Sequence, residues 1–396
     1  MNFVFISPHF PHTYWNFCDR LHRNGVNVLG IGDCPYEELE KGLQDALTEY
    51  YRVDNMEDYD QMFRALAFFS FKYGKIDWLE SNNEYWLEQD ARLRTDFNIT
   101  TGVNTQDVAA FKSKSGMKAY YAQAGVPTAR CHKVSTYEAA QAFIQEVGWP
   151  VIVKPDIGVG ASHTYKLQNE NDLAAFFSEL PETPYVMEEF VEGTIHSYDA
   201  ILDSRCEPLF ESMGVFPPSI ADIVNDQSDL AYYVAAAVPP ALADMGRRTA
   251  KAFGARSRFV HLEFFCLTKA KAGLGQVGDF VGLEVNMRPA GGYTPDMINF
   301  AHSTDVYQIW ADMAAFDERR LAPSGADHCC VYTSRRDGYN YVHSHEEILE
   351  RYGAQMAMCE RMPEVLSGAM GNQTYMAHAA NEDEVWEIIR FVEERA

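Results

Sequence analysis

Residues 259–267 (FVHLEFFCL) and 276–287 (QVGDFVGLEVNM) are two long runs of apolar and β-branched side chains on either side of the turn TKAKAGLG. Such a pair reads as two adjacent strands of one hairpin. Alternate side chains of a strand share a face, so Glu284, Asn286 and Arg288 project together while Leu283, Val285 and Met287 cover the other side. On the preceding strand Glu263 shares its face with His261 and Phe265, and turn-matched pairing brings its carboxylate beside Glu284. Two carboxylates and an amide oxygen are hard ligands that suit Mg²⁺, with Mn²⁺ as the alternative. An arginine cannot ligate a cation, but Arg288 can clamp negative charge developing on a phosphoryl group. The competing picture is an exposed hairpin with solvated charges. The apolar opposite face speaks against it, and so does RPAGG (288–292), which lets backbone approach a ligand closely.

A chain of 396 residues with 47% hydrophobic content is too long for one small core and implies two or three packed units. The formal charge of -24 makes nucleic acid and anionic membrane unfavourable partners, although a local basic pocket can still hold phosphate. The N-terminus shows no secretory pattern, and the apolar runs fall short of the roughly 20 residues a membrane span needs. The cytoplasm is the expected compartment. The eight cysteines form no CxxC arrangement, and the neighbours Cys329 and Cys330 are poorly placed to bond each other. Reduced, mostly buried thiols are expected.

The chain divides by rhythm. NFVFIS (2–7), VNVLGIG (26–32) and IDWLES (76–81) are strand-like, with helical patterns at Tyr14–Arg23 and Tyr59–Lys72 between them; this alternation predicts a parallel sheet wrapped by helices over 1–104. No GxGxxG follows the first strand. His9 and His12 stand there instead and read as structural rather than metal-binding. From 105 the pattern becomes α+β: a helix ended by Gly125, a strand at 130–134, a capping box of Ser135 with Glu138, then the strands VIVK (151–154), TYKL (164–167) and YVMEEFV (185–191). A helix over 239–253 precedes the hairpin, and the tail adds the strands CCVYTS and QTYMAHAA and a last helix capped by Asn381 with Glu384. The expected fold is thus α/β plus α+β, with units at 1–104, 105–192, 193–325 and 326–396.

Two stretches supply what a metal and phosphate site would lack. Lys154 ends a buried-looking strand and precedes the glycine-bearing loop DIGVGASHTY, whose amides can cover phosphates. The P-loop pattern GxxxxGK[ST] is missing. VMEEFVEG (186–193) leaves a sheet at a point where backbone groups can meet a base edge and Phe190 can wall it.

The ordered string Lys114, Lys154, glycine loop, Glu188-Glu189-Phe190-Val191, Glu263, Glu284-x-Asn286-x-Arg288 resembles the ATP-grasp superfamily over roughly residues 105 to 315. The branch it most resembles contains biotin carboxylase, carbamoyl phosphate synthetase and the L-amino acid ligases, and residues 1–104 look like the pre-ATP-grasp domain. The resemblance implies that 105–192 is the small, lid-bearing subdomain with its linker helix and 193–325 the large subdomain with the metal strands, on which the 326–396 region packs. It further implies that Lys114 and Lys154 contact nucleotide phosphates and that Gly158, Gly160, Ala161, Ser162 and His163 belong to the mobile phosphate-covering loop. Glu188 would lie near the adenine amino group, Glu189 and Val191 would offer main-chain groups to the base, and Glu263, Glu284 and Asn286 would hold Mg²⁺. Arg288, with Lys154, would act at the reacting phosphate. Lys112 competes with Lys114, and the spacing to Gly125 favours Lys114. Many relatives carry an acidic residue where this chain has Ile195; His196 is the candidate to take over the ribose contact. The hairpin turn is longer than in biotin carboxylase, and no Ala/Val-Met-Lys-Met biotin-carrier motif is present.

The implied reaction is ATP-dependent joining of a small carboxylate, such as an amino acid, to an amine through an acylphosphate, with release of ADP and phosphate. The substrate pockets would draw on GGYTPDM (291–297), with Arg335-Arg336 as a weaker carboxylate-binding candidate. ESNNEYW (80–86) sits at the end of an expected strand, where Glu80 and Glu84 are candidates to meet an amine and Asn82 and Asn83 to cap the next helix. Two alternatives stand beside this reading: activation of bicarbonate, or a nucleotide-binding regulator without catalysis. Many relatives are dimers, so a homodimer is the expected assembly.

Overall fold

The apolar runs of the first hundred residues form a parallel sheet, as their spacing implies. In a computed structural model, which describes all residues except 159–162, 218–228 and 324–326 and the side chains of 365 and 366, the strands are β1 (Asn2–Ile6), β2 (Asn27–Gly32), β3 (Glu49–Arg52) and β4 (Trp78–Glu80). Their order is β3-β2-β1-β4, all parallel. Helices α1 (Trp15–Arg23), α2 (Lys41–Ala46), α3 (Tyr59–Tyr73) and α4 (Leu87–Asp96) connect and cover them. Strand alternation sends Val4, Ile6, Leu29 and Ile31 to a core shared with Met62, Leu66 and Phe69 of α3, and Phe3, Phe5 and Val28 to the opposite core.

The helical pattern after residue 105 breaks in two, α5 (Ala109–Lys112) and α6 (Lys114–Ala124), because the Ser113 hydroxyl caps the second by accepting from the Gly116 amide. Gly125 closes α6 in the left-handed conformation, as its position in the sequence suggests. A small antiparallel sheet follows, made of β5 (Cys131–Lys133), β6 (Val151–Pro155), β7 (Tyr165–Leu167) and β8 (Tyr185–Glu189) in the order β5-β8-β6-β7, with α7 (Tyr137–Val147) and α8 (Glu170–Ser178). The cap of α7 is Thr136, accepting from Ala139, rather than the expected Ser135 with Glu138.

A third sheet, of nine strands, carries the rest of the chain. It contains β9 (Gly193–Leu202), β10 (Pro208–Ser212), β11 (Gly214–Phe216), β12 (Ala231–Val234), then, after α9 (Pro240–Ala252), β13 (Arg258–Leu267) and β14 (Phe280–Asn286). After α10 (Thr294–His302) and α11 (Val306–Phe316) come β15 (Cys329–Arg335), α12 (His345–Tyr352), β16 (Met356–Arg361), α13 (Glu364–Met370), β17 (Gln373–Ala379) and α14 (Glu382–Glu393). The strand order β14-β13-β9-β11-β12-β15-β17-β16, with β10 on β9, runs across residue 326, so the tail extends this sheet. Strand β16 was not legible in the sequence: MAMCER has neither clean alternation nor a β-branched residue. Asn381 caps α14 by accepting from Glu384 N, but the Glu384 carboxylate takes the Ala380 amide in place of the cap residue's own. All eight cysteines are free thiols. No helix among the described residues is long and apolar enough to cross a membrane.

The N-terminal sheet is fused to the large one. Phe17 of α1 sits edge-on to Tyr307 and Trp310 of α11, with centroids 4.8 and 4.9 Å apart. A buried ionic cluster adds a second tie. Glu80, at the end of β4, accepts from Arg94 Nη2 at 2.9 Å and from Arg258 Nη2 of β13 at 3.1 Å. Arg258 also donates to the Met287 carbonyl at 2.6 Å, one residue before Arg288. Glu80 is therefore structural and does not meet an amine. Removing one partner of a buried cluster strands the others, so Glu80→Gln should cost about 3–5 kcal/mol of stability by urea denaturation, and Arg258→Met with Glu80→Gln should cost less than the sum of the single changes.

Candidate active site

The two long strands pair so that Glu263 lies directly across from Glu284 and His261 across from Asn286. The sequence reading of one shared acidic face therefore holds, and Val285 and Met287, at 1% and 2% exposure, are buried in the core beneath it. A bulge between Glu263 and Phe264 leaves Leu283 as the extra residue, half-buried instead of core. Gly282 stands beside this bulge because a Cβ there would lie 2.5 Å from Cε1 of Tyr121, whose ring packs underneath.

Like charges facing each other on a sheet are unfavourable, and here each has a cationic neighbour. Lys114 Nζ is 3.2 Å from Glu284 Oε1 and donates to the Gly158 carbonyl at 3.0 Å. It gets there because Asp156 anchors the start of α6, accepting from the Ser115 amide at 2.8 Å and the Ser113 hydroxyl at 2.9 Å. His261 bridges Asp199 of β9, at 2.7 Å from Nδ1, and Glu263, at 3.1 Å from Nε2. Burial works against its protonation, but the carboxylates on both sides prevail and raise it to about 9, so it is an imidazolium at neutral pH. Among the described contacts His261 engages only Oε1 of Glu263 and Lys114 only Oε1 of Glu284, which leaves each carboxylate its second oxygen. With the Asn286 amide oxygen, that donor set fits an oxygen-preferring divalent cation.

The second charged group lies on the small sheet. The Glu188 carboxylate is gripped by Lys154 Nζ at 2.6 Å and Lys118 Nζ at 2.5 Å. Burial pushes this carboxyl up, yet the two ammonium groups outweigh it and hold it down at about 2. Burial likewise opposes the charge on Lys154, and Glu188 and Glu284 overcome that and raise it. The Glu188 side chain thus serves the lysines. Lys118 was missed in the sequence, although it lies one turn after Lys114 on the same helical face. Asp199 had no such signal, because its role depends on β9 lying beside β13.

Arg288 donates to its neighbour's carbonyl, Pro289 O, at 2.8 Å and lies 3.9 Å from Glu84. Glu84 is also 3.3 Å from Lys112, so Lys112 pairs beside Arg288 while Lys114 pairs with Glu284 of the facing carboxylates. Asn83 accepts from the Tyr85 amide at 3.0 Å, a local turn bond, while Asn82 takes a left-handed φ of 54°. At the hinge, Glu189 is paired with Arg130 at 2.8 Å, Val191 is buried, and the Phe190 ring faces Lys166 Nζ at 4.0 Å. Gly193 is required there, since a Cβ would come within 2.6 Å of the Cys266 carbonyl. His163 has a φ of 59° and its carbonyl accepts from the Tyr185 hydroxyl at 3.4 Å; Gly160, Ala161 and Ser162 lie outside the described residues.

Three expectations are corrected by this geometry. His196 pairs with Phe264, not Glu263, so it points to the opposite face of the sheet, against Phe280 at 5.7 Å, away from the carboxylates. Arg335 is buried and spends Nε on Val392 O and Nη1 on His343 O, both at 2.6 Å, which makes it a cap for the last helix. Arg336 donates to the Gly368 carbonyl at 3.1 Å in α13. His9 and His12 meet Asp33 and Glu40 singly, at 3.3 and 3.0 Å. Elsewhere, Ser212, His302 and Asp327 line up at 3.0 and 2.9 Å in the manner of a hydrolytic triad, but Ser212 is fully buried and presents no nucleophile.

The fold and the converging lysines and carboxylates define a class, and comparison with known proteins agrees with it. Residues 113–196 match the family described as carbamoyl-phosphate synthase L chain, ATP binding domain. Over these residues the chain is similar to an ATP-grasp ATP-binding domain. It is 24% identical over 321 residues to the L-arginine-specific L-amino acid ligase of Bacillus subtilis, covering 76% of this chain and 72% of that one. The L-amino acid ligase of Bacillus licheniformis has a similar fold, with a TM-score of 0.70 at 15% identity over 98% of this chain and 96% of that one. So does the biotin carboxylase domain of Hydrogenobacter thermophilus 2-oxoglutarate carboxylase, solved with MgADP and bicarbonate, with a TM-score of 0.69 at 14% identity over 100% and 90% of the two chains.

The low value of Glu188 sets a pH signature. Its ion pairs contribute fully above the unfolded carboxyl value of about 4.5 and lose their contribution as pH falls towards 2, a span worth roughly 3 kcal/mol. The stability difference between wild type and Glu188→Gln, from urea denaturation, should be constant between pH 7 and 5.5 and shrink by pH 3.5. A difference that stays constant to pH 3.5 would contradict the assignment.

Proposed function

We propose that this protein is an ATP- and Mg²⁺-dependent carboxylate–amine ligase acting on amino acids or other small carboxylates. The observation that carries the reading is Glu263 standing across from Glu284 within reach of Lys114 and Lys154, with Arg288 two residues beyond Asn286. Supporting it is the similarity, over 76% of the chain, to a protein that is an L-amino acid ligase.

In this reading Lys114 and Lys154 neutralise the nucleotide phosphates, and Gly158 and His163 flank the loop that covers them and excludes water from an acylphosphate. Glu263, Glu284 and Asn286 would hold Mg²⁺, or Mn²⁺ in its place, which when bound supplies charge neutralisation and alignment of the phosphates. Glu189 and Val191 offer main-chain groups to adenine. Arg288 meets the negative charge that develops as the substrate carboxylate attacks the γ-phosphate. The amine then displaces phosphate from the acylphosphate, giving amide, ADP and inorganic phosphate. No side-chain nucleophile is needed, because positioning and electrostatics supply the acceleration. The free thiols are consistent with a reducing compartment, so the cytoplasm is the proposed location, and a homodimer is the proposed assembly.

The test is a phosphate-release screen with Mg-ATP against pairs of amino acids and small carboxylates, with mass spectrometry of the product. Phosphate release should require both substrates. Bicarbonate-stimulated turnover with no added carboxylate would replace this reading by bicarbonate activation, and nucleotide binding indifferent to Mg²⁺ would favour a non-catalytic regulator. Glu284→Ala should abolish turnover while leaving the circular dichroism spectrum unchanged. Arg288→Ala should lower kcat by about 10²–10³-fold with little change in KM for ATP, because its contact is made in the transition state.

A further inference from the structure

The turn that joins the two metal strands does more than reverse the chain. Lys271, near its tip, donates to the Phe190 carbonyl at 2.6 Å and lies 3.2 Å from Glu189 Oε2, reaching the hinge between the small and large sheets. Glu189 is a buried carboxylate whose other contacts are also fixed: Oε1 accepts from the Arg130 amide at 2.8 Å, Oε2 meets the Arg130 guanidinium at 2.8 Å, and its own amide donates to Arg130 O at 3.1 Å. The turn is joined to the hinge again by the Thr268 amide on Glu192 O at 3.0 Å and by Lys269 on Glu192 Oε1 at 2.9 Å. Beneath these contacts Val191 is packed with Ala129, Leu267, Leu274 and Val281 in a small apolar cluster of its own.

These contacts have one consequence for the main chain. The Phe190 carbonyl is already taken by Lys271, while the Val191 amide, one residue on, makes no hydrogen bond among the described residues. A flexible lysine that pins a carbonyl and a carboxylate together fixes the peptide planes of 189–191 and thereby the direction of the unpaired amide. The same hairpin carries Glu263 and Glu284 along its length and Lys271 at its tip. One rigid element therefore touches both the proposed base end and the proposed phosphate end of a nucleotide.

We propose that Lys271 is a positioning residue for the adenine base: by tying the hairpin tip to Phe190 O and Glu189, it holds the Val191 amide at a fixed distance from the Glu263–Glu284 pair. This rests on the ATP-dependent reading above and deepens it, since the chain would recognise the base through a hinge locked from outside the small sheet.

The experiment compares wild type with Lys271→Ala, Lys271→Arg and Lys41→Ala, an exposed lysine of α2 outside the hinge contacts, as the control. ADP binding is followed by titration calorimetry and turnover by phosphate release. Losing a charge-assisted hydrogen bond should weaken ADP and raise KM for ATP by about tenfold in Lys271→Ala, with kcat at saturating ATP within twofold. Lys271→Arg should recover much of the loss, Lys41→Ala should match wild type, and binding of inorganic tripolyphosphate should be the same in all four proteins. ADP affinity unchanged in Lys271→Ala overturns the proposal. So does a parallel fall in ADP and tripolyphosphate binding together with melting temperature, which would mark a purely structural role. Wild type that binds no adenine nucleotide overturns the parent reading and this one together, so the two failures are told apart.

Discussion

Two carboxylates facing each other across a sheet, Glu263 on one strand and Glu284 on the next, set the terms for the surrounding structure. Such a pair repels itself, and the repulsion grows as solvent is withdrawn. The chain answers with cations brought from separate elements: Lys114 from a helix start, Lys154 from the end of a strand, and the His261 imidazolium held by Asp199. Each of those cations needs its own support, which explains Asp156 at the helix start and Glu188 between two lysines. The result is a nearly balanced cluster that keeps carboxylate oxygens available for a divalent cation and ammonium groups available for phosphate.

Balance of this kind also explains the way the units are joined. Arg258 begins the strand that carries Glu263, pairs with Glu80 of the N-terminal sheet and holds the carbonyl just before Arg288. A displacement of the N-terminal sheet would therefore be felt at the arginine proposed to meet the reacting phosphate. The aromatic contacts of Phe17 are a second anchor; the ionic cluster is the one that reaches the site.

Much of this was legible in local pattern. Strict alternation in LEVNMR placed Glu284, Asn286 and Arg288 on one face, and the hairpin brought in Glu263, because period and register are properties of neighbouring residues. Ser113, Thr136 and the break between the two helices at 109–124 were harder, since several hydroxyls compete for one cap and only the packed helix selects among them. His196 was misplaced for a related reason: a one-residue difference in a strand reverses the face, and the family pattern fixes the neighbourhood but not the side. Glu80 and Arg335 looked like ligand-binding groups, yet burial obliges each to spend its charge on partners supplied by the fold.

By itself the sequence determined the strands with clear apolar runs, the acidic face of the hairpin, the lysine at the end of VIVK and the glycine that ends the helix after Lys114, all of them consequences of spacing along the chain. Only the tertiary structure decided that Lys118 would share Glu188 with Lys154, that Asp199 would charge His261, and that Lys271 would reach back to Phe190. Those pairings join residues far apart in sequence, and their energies depend on distance and desolvation, which exist only once the sheets have packed.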